Sequence, residues 1–494
     1  GAVRPKTSVS IEVGNWTKIP IGKRVLIQKD QFLIQCLSKG NRVYLNAFSW
    51  VSDKPRLNPP VISGENKYSI SLLIIDSTSR NQFFRHMPLT LRWMRERDFQ
   101  ILQGYTKVWD NSAMNLFVIL SGLVFGARFK GLVEDDGAIE LKAIKEDFSL
   151  VNISLIARAK AVGCATLWND EIANPGFGLF HYDYFKGFHS PIADYYYRPY
   201  YQYIYKNLNA SSGCKNGQPI LPKWLELWEQ FSTKYSDKCH FAFNFLTGLT
   251  HASGNNLELY DIPVSDALGR MEAAGVLENT FLVIMGDHGQ RISPIQKTTI
   301  GRIEERMSFF GIHIPEKFKL QYPEKFQNFV KNRNRLTSNF DVHETFEEIF
   351  ALTTGDNHKK PTSHGISLFE EIPKNRTCKD AFIPKNFCIY QYTISSARTW
   401  YTISKMSKVG IRYIHEWEKV KNKDKIARDV FEIEFTIELR IRQKVKKEEL
   451  DMKLLMRVQY SNKTQEMQLN SPPWLQSELC PETFILEELC KCLN

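Results

Sequence analysis

The apolar run Phe281-Leu-Val-Ile-Met285, closed by Gly286 and followed at once by Asp287-His288-Gly289, constrains this chain more than any other feature. A short β-branched and aromatic run bounded by glycines reads as a buried parallel strand ending in a tight loop. The carboxyl ends of such strands are where open α/β sheets build their sites. A second run of the same kind, Leu72-Leu-Ile-Ile75, leads into Asp76-Ser77-Thr78-Ser79-Arg80 and offers another carboxylate. Between them, Asp110-Asn111-Ser112 precedes Leu116-Phe-Val-Ile-Leu120, which reads as helical and puts Ser112 near a helix N-terminus. Two aspartates, one histidine and one hydroxyl form a coherent set for a metal-activated nucleophile.

The residue types follow from the chemistry. A serine hydroxyl is a poor nucleophile at neutral pH, but a divalent cation stabilises its ionised oxygen while polarising a phosphoryl or sulfuryl oxygen. Amides at the helix N-terminus would add donors for the negative oxygens of the transferred group. Aspartate, histidine and a hydroxyl oxygen suit zinc first and manganese second; calcium prefers six to eight oxygens. Ser77 and Ser79 are rival nucleophiles, or else they bond the local backbone.

Organisation along the chain supports this placement. Residues 1–65 carry strand-like pieces at Lys23-Arg-Val-Leu-Ile27 and Arg42-Val-Tyr-Leu45 and end at the Asn58-Pro-Pro60 boundary. Residues 66–390 alternate apolar strands with amphipathic helices, the pattern of a mostly parallel sheet sandwiched by helices, an α/β fold. From 391 to 494 the texture changes to a smaller α+β subdomain: Val430–Leu439 alternates with period two, as an antiparallel strand with one wet face does. Glu418–Lys425 reads as a charged turn and Leu475–Leu489 as a final helix.

The 494 residues carry 65 Lys and Arg against 54 acids, a net charge of +11 spread along the chain. Without a clustered basic stripe, nucleic-acid binding is not expected. An anionic substrate or a membrane surface fits the charge, and no apolar run is long enough to span a bilayer. Nine cysteines and Asn-x-Ser/Thr sequons at Asn15, Asn152, Asn209, Asn375 and Asn462 fit a secreted or lumenal protein, membrane-anchored or free in its full-length precursor.

Asp76 after a strand, the hydroxyl in Asp110-Asn-Ser-Ala-Met-Asn-Leu-Phe-Val-Ile-Leu-Ser-Gly122, and Asp287-His288-Gly289 together resemble the alkaline phosphatase superfamily in its sulfatase-like branch. Within it, the chain is most similar to an animal family known as domain of unknown function two hundred and twenty-nine. Further stretches carrying the resemblance are Gly187-Phe188 with Asp194-Tyr-Tyr-Tyr-Arg-Pro199, Gly301-Arg-Ile-Glu-Glu-Arg306, Phe340-Asp341-Val-His343, and Ser363-His-Gly-Ile-Ser-Leu368 with Arg376-Thr-Cys378.

The resemblance implies that Asp76, Asp287 and His288 are metal ligands and that Ser112 is both nucleophile and ligand, where relatives more often have threonine. It implies that His251, in Thr250-His-Ala-Ser-Gly-Asn255, and His364 stand near the substrate or a second metal, so that one or two ions are expected. Ala252 replaces an acidic residue of relatives, which weakens a two-metal site, and Ser112-Ala-Met-Asn lacks the Cys/Ser-x-Pro-x-Arg pattern of sulfatases. Asn111, Arg80, Arg291, Asp194 and Arg198 are substrate-side candidates, with structural pairing the alternative for the arginines and a packed aromatic turn for the Asp194 loop. Asp170 and Glu171 are candidates for contact with an ammonium head group. The implied activity is metal-dependent hydrolysis or transfer of a phosphoester, phosphoethanolamine-like or a phosphodiester linked to glycan or lipid. The competing reading is a catalytically silent extracellular glycoprotein.

Overall fold

The computed structural model describes residues 2–6, 10–55, 57, 68–123, 154–171, 179, 188, 190–208, 210, 213–251, 253–354, 364–384, 387–389, 432–445, 448–461, 466–469 and 474–475. The chain divides into two compact units, one built on Gly1–Ile389 and the other on Tyr390–Thr483.

A seven-stranded sheet organises the first unit. Its strand order is Gln100–Ile101, Phe310–His313, Thr280–Gly286, Ser69–Ile75, His240–Leu246, Ala165–Asp170 and Tyr195–Tyr196. The last five run parallel, while the first two form an antiparallel edge. The fold is therefore α/β with a mostly parallel sheet, as the alternation of apolar runs and amphipathic helices predicts.

Helices cover both faces, which explains why the central strands bury apolar side chains on both faces instead of at alternate positions only. Leu72, Ile74, Phe281 and Val283 face one side and pack with Leu116 and Ile119 of helix Ser112–Ser121 and Phe346 and Ile349 of helix Asn339–Thr354. Their neighbours Leu73, Ile75, Leu282 and Ile284 face the other, against Trp224 and Trp228 of helix Leu221–Lys234 and Val264 and Leu268 of helix Glu258–Ala273. Full burial of one Leu or Ile is worth about 1.5–3 kcal/mol, so this double layer fixes the sheet register firmly. That register sets Ile75 beside both Gly286 and Leu246, and the loops following three strands emerge side by side.

Cys164 and Cys239 form a disulfide where two adjacent strands begin, one residue before the paired Ala165 and His240. Cys378 bonds Cys388, Cys214 is disulfide-bonded as well, and Cys36 is free and exposed. No helix among the described residues is long and apolar enough to cross a membrane.

The N-terminal segment forms two antiparallel pairs, Val3–Pro5 with Ile11–Val13 and Gln31–Ser38 with Asn41–Ser49. The second contains the expected Arg42–Leu45. Lys23–Ile27, expected as a strand, is irregular instead, with Val25 and Leu26 exposed. β-propensity holds a strand only where a partner and a covered face exist, and this stretch has neither. The Asn58–Pro60 boundary lies outside the described residues.

In the second unit, Glu432–Val445 pairs antiparallel with Glu448–Ser461, which also pairs with Glu466–Leu469 and Trp474–Leu475. The alternating stretch Val430–Leu439 thus lies largely in an antiparallel strand. Leu475 closes a strand and does not open a helix; residues beyond it, and Glu418–Lys425, lie outside the described residues.

Candidate active site

Asp76 and Asp287 follow neighbouring parallel strands, so their side chains leave the sheet at one edge and one height. The turn that makes this possible is tight. An added Cβ at Gly286 would collide with the Thr78 carbonyl oxygen, and one at Gly289 with the Glu304 carbonyl oxygen. Ser77, between Asp76 and Thr78, has φ +59°, in the left-handed region that a residue with a side chain enters at a cost. That conformation lets Ser77 bond both acids: its N–H donates to Asp287 Oδ1 at 2.9 Å and its hydroxyl to Asp76 Oδ1 at 2.7 Å.

His288 completes the group. Its Nδ1 lies 2.9 Å from the Gly289 carbonyl oxygen, which can only accept, so Nδ1 carries the proton and Nε2 presents a lone pair. Nε2 faces Asp287 Oδ2 at 3.4 Å and Asp76 Oδ1 at 3.8 Å. Ligand atoms of Asp76, Asp287 and His288 all lie within 4.8 Å of one another, the one such group among the described residues. All three side chains are wholly buried. Burial first, and the neighbouring Asp287 second, hold the Asp76 carboxyl well above the usual range. Burial raises Asp287 as well, against the lowering effect of Ser112 and the N–H groups of Ser77 and His288. Burial, Lys107 and Arg291 keep the His288 imidazole neutral.

Asp76 Oδ2 and Asp287 Oδ2 are buried without a hydrogen-bond partner. Buried carboxylate oxygens are rarely left so, because the desolvation cost is several kcal/mol in apolar surroundings. Two such oxygens beside an imidazole lone pair are a donor set that a divalent cation satisfies. The residues present fit the implied metal.

Ser112 opens helix Ser112–Ser121, which Asn111 caps by accepting the Met114 N–H at 3.2 Å and Gly122 closes in the left-handed conformation. Its hydroxyl, close enough to Asp287 to lower that carboxyl, lies 3.3 Å from His288 Nε2, a long hydrogen bond. The first-turn amides that the cap does not take lack intrahelical partners, as at any helix start. Asn111 thus acts on the site by fixing the helix start.

Helix Thr299–Arg306 clamps the loops. Glu304 accepts two bonds from Arg85, at 2.9 and 2.8 Å, and one from Ser79 at 3.2 Å, tying down the segment after Asp76. Glu305 is buried and pairs with the wholly buried Lys107, whose ammonium also reaches the Asp110 carbonyl at 3.1 Å; the Glu305 carbonyl accepts the Gly289 N–H at 2.9 Å. One helix end therefore holds the Asp76, Ser112 and His288 loops together. The sequence flagged Gly301–Arg306 only as a matching stretch, and Lys107 carried no local signal.

The remaining candidates separate clearly. Arg291 pairs with Asp110 at 3.2 Å and acts electrostatically on Asp76, Asp287 and His288, so it belongs to the site. Arg80 instead donates to the Gln103 carbonyl oxygen. Asp194 accepts from the Thr166 N–H at 2.9 Å and hydroxyl at 2.6 Å, at the start of a strand whose other end, Asp170, faces the site edge. It closes a loop far along the strand from the metal group, and the substrate-side reading does not hold for it. Arg198 is buried and interacts with Asp170 and Tyr196. Glu171 receives the Thr247 and Gly248 N–H groups at 3.1 and 3.0 Å and the Tyr205 hydroxyl at 3.2 Å, so its carboxylate shapes the loop carrying His251. That loop follows strand His240–Leu246, at the same sheet edge as the site. His364 sets its ring against Phe382 and Phe340, with centroids 4.2 and 5.4 Å away. Neither His251 nor His364 joins the 4.8 Å group. Asp341 and Arg376, in two of the matching stretches, form a buried two-bond ion pair at 2.7 and 2.9 Å.

The structure is similar to the C-terminal periplasmic domain of EcEptC from Escherichia coli, with 16% identity, a TM-score of 0.41, and 65% of this chain and 91% of that chain covered. It is also similar to the lipoteichoic acid synthase LtaP from Listeria monocytogenes, at 10% identity, TM-score 0.41, with coverage of 64% and 79%. The phosphonate monoester hydrolase SpPMH from Silicibacter pomeroyi gives 11% identity, TM-score 0.38, with coverage of 83% and 89%. No curated protein matches the chain. The family described as "Protein of unknown function (DUF229)" matches residues 7–431, and the chain belongs to that family.

Proposed function

We propose that this protein is a metal-dependent phosphoester hydrolase or phosphotransferase with Ser112 as its nucleophile. The observation that carries the reading is the pair of partnerless carboxylate oxygens, Asp76 Oδ2 and Asp287 Oδ2, beside the His288 Nε2 lone pair, with the Ser112 hydroxyl 3.3 Å from that nitrogen. A divalent cation, zinc or manganese, held by Asp76, Asp287 and His288 supplies Lewis-acid stabilisation of negative oxygen when bound. Ser112 forms a bond to phosphorus as the ester P–O bond breaks and the alcohol departs with a proton. Water or an acceptor hydroxyl then releases the phosphoryl group and restores the serine. Asn111 keeps Ser112 at the helix start, and the first-turn amides face the developing charge.

The substrate class is a phosphodiester, phosphoethanolamine-like or linked to glycan or lipid, on the resemblance of the motifs. The Cys164–Cys239 and Cys378–Cys388 disulfides support a secreted or lumenal location. The test is metal analysis of the purified protein together with turnover of bis-para-nitrophenyl phosphate before and after chelation. Bound stoichiometric metal and activity lost on chelation and restored by zinc or manganese support the reading. A protein with neither metal nor activity on phosphate or sulfate esters is a binding glycoprotein.

A further inference from the structure

Arg291 stands three residues after His288, and Asp110 two residues before Ser112, so the ion pair between them spans the two loops that carry the ligand and the nucleophile. Arg291 Nη1 lies 3.2 Å from Asp110 Oδ2, with the arginine side chain 21% and the aspartate side chain 52% exposed. The Arg291 Nε is buried without a hydrogen-bond partner. A guanidinium offers five N–H donors in a fork suited to two acceptor oxygens, and here a single regular contact to a solvent-facing carboxylate engages it. Three cations that helix Thr299–Arg306 draws to these loops are matched, Lys107 and Arg306 by Glu305 and Arg85 by Glu304, and Arg80 is turned to the Gln103 carbonyl oxygen. Arg291 also reaches the metal group electrostatically, since it lowers the Asp76 and Asp287 carboxyls and the His288 imidazole.

We propose that Asp110 is an internal competitor for Arg291, standing where an oxyanion of the substrate binds, and that this carboxylate makes the site favour a singly charged diester over a dianionic monoester. The second half rests on the phosphoester reading above; the first half does not. When a substrate oxygen displaces Asp110 from Arg291, the Asp110 charge stays within the same loop, two residues from the nucleophile. A second negative charge on the phosphoryl group meets that carboxylate at close quarters. Exposed ion pairs of this kind are weak, so displacement is feasible and its effect on anion affinity is modest.

The experiment uses the full chain and inorganic phosphate, with binding followed by titration calorimetry. Asp110→Asn should bind phosphate about three- to tenfold more tightly than the parent, because the competitor loses its charge while the loop keeps its shape. In Arg291→Gln the same Asp110→Asn change should give no gain. Equal or weaker phosphate binding by Asp110→Asn, or a gain that persists without Arg291, overturns the competitor. In a second arm, the ratio of kcat/KM for para-nitrophenyl phosphate to that for its methyl diester should rise about three- to tenfold in Asp110→Asn; an unchanged ratio overturns the charge selection. If the parent turns over no ester and the Arg291-dependent phosphate gain is still seen, the competitor stands and the phosphoester reading falls.

Discussion

Ser77 donates its backbone N–H to Asp287 across 210 positions of sequence, at 2.9 Å, while its hydroxyl holds Asp76. One residue in a left-handed conformation thus sets the spacing of both carboxylates, leaving Oδ2 of each without a hydrogen-bond partner. Ser77→Ala keeps the N–H and removes the Asp76 contact, so metal affinity should fall roughly 10–100-fold, the usual cost of losing a group that orients a ligand. Competition titration with a chromophoric chelator measures it. Parent affinity in Ser77→Ala would show that the Asp76 orientation is set elsewhere.

Ser112 and Asp287 should separate chemistry from metal binding. Ser112→Ala should lower turnover by at least roughly a thousandfold while retaining metal, because Asp76, Asp287 and His288 remain. Ser112→Thr should keep part of the activity. Asp287→Asn should lose metal and rate together, since it removes a charged ligand. Metal content and single-turnover kinetics on the same preparations decide; parent turnover in Ser112→Ala would replace the serine with water as nucleophile.

The part of this site that was legible in the sequence is the part built from local patterns. Phe281–Met285 and Leu72–Ile75 are uninterrupted apolar runs ended by an acid, and register alone then places Asp76 next to Asp287. Asn111 and Gly122 mark the ends of the Ser112 helix by the ordinary rules of capping. What was not legible depends on contacts between distant loops. Nothing around Lys107 announces burial, and its partner Glu305 lies 198 positions away on a helix that reads as amphipathic surface. The same blindness runs the other way for Asp194, which sits among aromatics as a substrate loop would, yet bonds Thr166. Lys23–Ile27 has strand composition and no strand to pair with.

His240 gives a stability signature that owes nothing to the metal group. It is wholly buried at the start of a central strand, with Nδ1 donating to the Tyr235 carbonyl at 2.9 Å, and burial pushes the imidazole down to about 4. Above the unfolded-state value, near 6.5, the ring is neutral in both states and the stability is full. As pH falls below that value the unfolded chain takes up a proton that the folded one refuses, and stability is lost until the folded ring titrates near 4. Between about pH 7 and about pH 5, the advantage of the parent over His240→Gln in urea unfolding should shrink by about 2 kcal/mol. A gap that stays constant with pH would show that His240 is not the group responsible.

Lys107 and Glu305 form a buried ion pair that no solvent screens, with side chains 0% and 3% exposed. Desolvation is the leading cause of the lowered Lys107 ammonium, with Glu305 and Asp110 opposing it. Such pairs are costly to break from one side, because the remaining charge stays buried. Lys107→Met should therefore destabilise the protein by about 3–5 kcal/mol, somewhat less if Arg306, 3.0 Å from Glu305, takes over the carboxylate. Lys107→Met with Glu305→Gln should recover a large part of that loss, since no unpaired buried charge remains. The recovered double variant should still turn over more slowly than the parent: Lys107 also bonds the Asp110 carbonyl, which fixes the turn that presents Ser112. Urea unfolding of the four proteins in the cycle, alongside kcat, separates the two roles; a double variant with parent stability and parent kcat would confine Lys107 to charge balance and leave the Ser112 turn to Asn111.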